Sequence, residues 1–210
     1  MSVVPMKAVL TTAGISGVGL GGYGIYHLTS SGETIGEKVI SSLKGTKKRF
    51  LKKGDTEWSG LQDKYNSLPN KPRVKGGSSD LPFSDLPDWC DKHYKETYSK
   101  GKEGLYSKVS IFCFFNTNTV IEELVGRSLI SNGRDDVKWQ TAWETYNTTK
   151  TQKKLEITVT SGSSKLNESD KVEGGKALYD WCSSASQKKM YSVNIDSLFP
   201  RFEAWCINKE

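Results

Sequence analysis

A chain of 210 residues that holds six Trp, nine Tyr and seven Phe can bury a core although only 35% of it is hydrophobic, which excludes a largely disordered polymer. The length suits one or two domains. The net charge of +6 comes from 30 basic residues of which only five are arginine, and this shortage of forked phosphate-binding side chains weighs against nucleic acid as a partner.

Residues 8–28 carry no formal charge apart from a protonatable His27, follow Lys7, and are long enough to cross a hydrocarbon layer as a helix. Six glycines make the stretch only moderately apolar, so a transmembrane helix and a signal or signal-anchor helix are both readings of residues 1–30. No cysteine precedes Cys90, so a lipid-modified cysteine is not the anchor. Ala13, Gly17 and Gly21 recur at four-residue spacing on one helix face, a small-residue pattern that lets membrane helices approach and makes a homo-oligomer one expectation. Gly17, Gly19 and Gly22 also spell a dinucleotide-binding pattern. The poor helix former that follows, residues 24–32, argues against it.

Beyond this stretch the chain repeats itself. Leu86-Pro-Asp-Trp89-Cys90 matches Leu178-Tyr-Asp-Trp181-Cys182, and Thr34-Ile-Gly-Glu37 matches Thr119-Val-Ile-Glu122. Trp58 precedes Tyr65-Asn66 at the spacing by which Trp139 precedes Tyr146-Asn147, and Tyr98-Ser99 leads to Leu105 and Cys113 as Tyr191-Ser192 leads to Leu198 and Cys206. The spacing predicts an all-α, mainly helical chain: two tandem related units, residues 34–116 and 119–208, each of about four helical segments. Ile35, Val39, Ile40, Leu43, Phe50 and Leu51 are expected on the opening segment of the first unit, and Val120, Ile121, Leu124, Val125 and Leu129 on that of the second. A Pro, Gly and Ser rich loop is expected over residues 68–82. In the second unit the equivalent connection is longer, and its strand-like run over residues 155–160 is read as part of an exposed insertion.

Each of the four cysteines lies on an apolar helical stripe. Leu86, Trp89, Cys90 and His93 line one segment and Leu105, Val109, Phe112 and Cys113 the next; Leu178, Trp181, Cys182 and Ala185, then Leu198, Phe202, Trp205 and Cys206, repeat the arrangement. The first cysteine of each pair lies early in its helix and the second late in the next, so antiparallel hairpins favour Cys90 with Cys113 and Cys182 with Cys206. Buried free thiols are the alternative, and the bonded form requires an oxidising compartment.

Chemistry beyond this is not legible. The cysteine spacings of 23, 69 and 24 lack the close ligand pairs of structural zinc sites, Cys90 with His93 has no third orienting group, and no phosphate-cradling, metalloprotease or serine-nucleophile motif occurs. No enzyme activity, cofactor or metal is expected. The basic run Lys38, Lys44, Lys47, Lys48, Arg49, Lys52 and Lys53 pulls the other way on topology. By the positive-inside tendency it would hold the domain in the cytoplasm, where it could meet anionic lipid or nucleic acid; its plainest role is the solvated face of a helix.

In its Gly and Ala rich apolar stretch, in residues 34–39, in Trp139-Gln-Thr-Ala-Trp143-Glu-Thr-Tyr146 and in the recurring Leu-x-x-Trp-Cys of residues 178–182, the chain resembles the uncharacterised, lineage-specific paralogous proteins of haemotropic mycoplasmas, wall-less bacteria that live on red blood cells. These motifs are short but span most of the length. The resemblance implies membrane-associated proteins of about this size, without an assigned activity, in surface display and immune evasion, and it carries no functional residues across. It would place the domain outside the cell, in agreement with the cysteines and against the basic run. The expectation is therefore a protein of the cell membrane with the bulk of its chain extracellular, partnered by the membrane and by a host or surface protein.

Overall fold

In the computed structural model, residues 32–158, 164–167 and 170–208 are described. The apolar stretch, with Ala13, Gly17 and Gly21, lies outside them. Among the described residues no helix is long and apolar enough to cross a membrane. Glu33–Glu210 forms one compact, mainly helical unit.

The first helix, α1 (Ile35–Ser42), starts at a capping box in which Thr34 Oγ1 accepts from the Glu37 amide at 3.2 Å and Glu37 Oε2 accepts from the Thr34 amide at 2.8 Å. It stops before Gly45, whose φ of +83° continues no helix. The chain then enters strand β1 (Lys48–Phe50), a 3-10 turn (Thr56–Gly60) and α2 (Gln62–Ser67). After a long connection come α3 (Leu86–Tyr94), with Pro87 in its first turn where no amide partner is lost, then α4 (Glu103–Phe112) and β2 (Phe114–Asn116), antiparallel to β1.

The second half opens on another capping box, Thr119 with Glu122, at α5 (Val120–Glu123). Helix α6 (Val137–Lys153) begins at Asp136, whose carboxylate accepts from the Lys138 amide, and ends where Lys154 turns left-handed. Helix α7 (Lys171–Ser186) begins at Asp170, and α8 (Ile195–Trp205) follows.

Two cores form. Ile35, Val39, Leu61, Tyr65, Cys90 and Phe112 are buried in the first, and Val120, Trp139, Tyr146, Leu178, Cys182 and Phe202 in the second. Each fully buried side chain of this size contributes about 1.5–3 kcal/mol. The same backbone hydrogen bonds recur around both cores. Ile35 N donates to Glu96 O and Val120 N to Lys188 O, both at 2.8 Å; Leu51 N donates to Cys113 O at 2.9 Å and Ile130 N to Cys206 O at 3.0 Å.

Four expectations need correction. Phe50 belongs to β1 and Leu51 follows it, so neither lies on the opening helix, and Ile40 on that helix is 48% exposed. Val125 is 81% exposed, because α5 is a single short helix and Gly126, at φ +77°, turns the chain away. The connection after α6 is not an exposed insertion throughout. Ile157 and Leu166 are buried on the second core, where the indole nitrogens of Trp143 and Trp205 need acceptors and find them in Leu166 O (2.7 Å) and Leu155 O (2.9 Å). Finally, Tyr98 N donates to Glu33 O whereas Met190 N, not Tyr191 N, donates to Asn118 O. One extra residue in the second half therefore displaces Tyr191, whose ring packs against Phe115 at 6.4 Å in the first core.

Candidate functional site

The helical hairpins place the cysteines as their stripes require. Cys90 is bonded to Cys113 with Cα atoms 5.6 Å apart, and Cys182 to Cys206 with Cα atoms 5.5 Å apart; all four are fully buried and none is free. Each bond ties a helix to the residue just past the end of the next helix, α3 to α4 and α7 to α8. With its sulfur bonded, Cys90 is neither nucleophile nor metal ligand beside His93. Among the described residues no group of three or more His, Cys, Asp or Glu could hold a metal ion.

The basic run is largely neutralised by the fold. Arg49 reaches Asp55 and Glu57, both at 2.6 Å; Lys53 reaches Asp88 at 2.7 Å; Lys47 pairs with Glu123 at 3.6 Å and donates to its backbone oxygen at 2.7 Å; Lys38 pairs with Glu33 at 3.5 Å and lies over the Tyr98 ring. Lys48 is an exposed strand residue and Lys44 an exposed residue beyond α1, while Lys52 is also engaged. None of these seven residues lines the cavity beside α3 and α4.

A different basic cluster does so. Between α3, α4 and the connection before α3 lies an open cavity of about 530 Å³. Leu81, Trp89 and Leu105 give it an apolar surface, and Arg73, Lys75, Lys92 and Lys108 bring four cations to it with no carboxylate in the lining. Trp89 and His93, one helical turn apart, both line the cavity, their rings in tilted contact with centroids 4.6 Å apart. Lys108 Nζ donates to Lys71 O at 3.2 Å, whereas the side chains of Arg73, Lys75 and Lys92 form no ion pair among the described residues.

His93 Nδ1 lies 2.7 Å from Glu96 Oε1, and Glu96 also accepts from Lys102 Nζ at 3.2 Å. Burial holds the His93 imidazole below its ordinary value despite the neighbouring carboxylate. For Glu96 burial acts in the opposite sense, but the hydrogen bond from Lys102 and the charge of His93 outweigh it and hold the carboxyl low.

The cavity residues come from three separate segments, so no local motif announced them. The available signal was compositional: the second half carries Ser184 and Ala185 where the first carries Lys92 and His93. No protein-family model, no curated protein and no solved structure matches the chain.

Proposed function

We propose that the protein is a membrane-anchored, surface-exposed interaction protein without catalysis, built as two related helical units, residues 34–116 and 119–208, behind an N-terminal anchor. The observation that carries this reading is the pair of buried disulfides, Cys90 with Cys113 and Cys182 with Cys206, because such bonds persist in oxidising surroundings and are rare in the cytosol. The matched capping boxes and the matched hydrogen bonds around the two cores support the duplication. The uncharged stretch of residues 8–28 supports the anchor. The partner would be a host or surface protein.

The test is thiol labelling of intact cells with a membrane-impermeant reagent, with and without prior reduction, followed by mass mapping of the four cysteines. Labelling only after reduction, with the two pairs linked as above, is expected. Labelling that needs cell breakage but no reduction would overturn the reading and move the domain to the cytoplasm. The basic run would then be tested against anionic vesicles, to which it would offer the exposed Lys44 and Lys48 beside cations already paired with Asp55, Glu57, Asp88 and Glu123.

A further inference from the structure

The cavity beside α3 combines three properties that packing alone does not require. Its charge has one sign: Arg73, Lys75, Lys92 and Lys108 line it and no acid does. Clefts of a single charge sign with low-dielectric walls focus the field and concentrate counter-ions. Part of its wall is apolar, since the half-buried Trp89 lines it together with Leu81 and Leu105. Three of its four cations are also uncommitted: Arg73, Lys75 and Lys92 make no ion pair among the described residues, while Lys108 is held by Lys71 O and the cations of the basic run are mostly paired.

The second half provides an internal control. At the positions of Lys92 and His93 it has Ser184 and Ala185, on the helix that carries Cys182 of its own disulfide. At the position of Lys108 it has Arg201, whose guanidinium is tied to the backbone oxygens of Glu156 and Ser197. Lys108 is likewise held by a backbone oxygen, that of Lys71, so the contrast lies at Lys92: the disulfide hairpin forms without a free cation there, and the hairpin itself does not require Lys92.

We propose that this cavity binds a small organic anion that carries a planar ring, with its phosphate or carboxylate among Arg73, Lys75, Lys92 and Lys108 and its ring against Trp89. Arg73 offers the forked donors that suit such a group, and the three lysines add point charge. A neutral ring would lack the ionic contacts, and a bare anion would leave the Trp89 face uncovered. The proposal does not depend on which side of a membrane the domain occupies.

The experiment is calorimetric titration of the oxidised protein with 1-naphthyl phosphate and with adenosine monophosphate, against 1-naphthol, adenosine and inorganic phosphate. At least one ring-bearing phosphate should bind saturably, and about tenfold or more tighter than either of its separate halves, because each charge-assisted bond or stacked ring is worth about that factor. Affinity should fall as salt is raised. The exposed substitution Lys92→Glu should weaken it about tenfold or more with the circular dichroism spectrum and both disulfides unchanged, and Trp89→Ala should reduce it to the level of inorganic phosphate. Absence of saturable binding by both ring-bearing phosphates would overturn the proposal. So would binding that Lys92→Glu and Trp89→Ala leave unchanged, or equal binding of the neutral compounds.

Discussion

Gly175 of α7 rests on the backbone of α6 at Gln140: a Cβ added to Gly175 would stand 2.9 Å from Gln140 N and 3.0 Å from its Cα. The adjacent Gly174 lies beneath the Trp143 indole with no more room. Because the obstacle at Gly175 is main chain, a side chain there must push the helices apart. Gly175→Ala should gain about 0.5–1 kcal/mol of helix preference and lose about 1–3 kcal/mol to overpacking, a net destabilisation in urea unfolding. Gly104→Ala in α4, where nothing lies within 4 Å, should instead stabilise by about 0.5–1 kcal/mol. Equal effects from the two variants would show that α6 and α7 do not need this close approach.

Each disulfide closes its own hairpin, with sequence separations of 23 and 24. In the chain-entropy account, opening either one should cost about 3 kcal/mol, and the two losses should add because the bonds lie in different cores. The comparison to make is denaturant unfolding of Cys90→Ser/Cys113→Ser, of Cys182→Ser/Cys206→Ser and of the quadruple variant. A midpoint unchanged in either double variant would mean that its bond constrains nothing in the unfolded chain.

The hydroxyl of Tyr146 accepts from the Ile157 amide at 3.2 Å and contacts Asn167 Oδ1 at 3.3 Å, joining α6 to the covering segment of the second core. Tyr146→Phe keeps the ring against Trp205 but leaves the buried Ile157 amide without its acceptor, a cost of about 1–3 kcal/mol. Amide exchange at Ile157 should accelerate, and the melting temperature should fall by about 2–4 °C for each kcal/mol lost. Tyr65→Phe, which deprives Leu81 O of a donor in the first core, should behave alike. Unchanged exchange at Ile157 in Tyr146→Phe would remove this hydroxyl as the tie.

His93 supplies a pH dependence. Burial, partly opposed by Glu96, lowers its folded value below 6.5, with Lys92 and Lys102 adding to the lowering. The unfolded chain therefore takes up the proton first. Stability should be full above about 6.5, decline as pH falls through the folded value, and lose no more below it. Glu96, whose folded value lies below 4.5, and Glu173, held at about 2 by hydrogen bonds from Lys165 and Lys176, act in the same direction only in stronger acid. Urea unfolding at pH 7 and pH 5 should show the decline in the native chain and its absence in His93→Gln. A decline that survives His93→Gln would assign it to another group.

What the sequence disclosed followed from regularity. Cys90, Cys113, Cys182 and Cys206 recur on apolar stripes of consecutive helices, and two helices that bury facing stripes have few ways to arrange their sulfurs. Thr34 with Glu37 and Thr119 with Glu122 are capping boxes that any helix start can use. The features that escaped depend on contacts between distant parts of the chain. Lys48-Arg49-Phe50 has no strand-like alternation and becomes β1 because β2 supplies its partner. Asp88 and Glu123, which neutralise Lys53 and Lys47, lie far along the chain. Tyr191 matches Tyr98 by residue type, yet hydrogen-bond register assigns that place to Met190. Gly174-Gly175, near the start of α7, is a readable sign of close packing, and the cavity cations, drawn from three segments, are not.

Because each disulfide is confined to one half, the described unit resists tension unevenly. If its two ends were drawn apart, the segments between Cys90 and Cys113 and between Cys182 and Cys206 would bear no load, the force passing through sulfur instead. Roughly 80 Å of contour in each segment would stay hidden until a reductant released it.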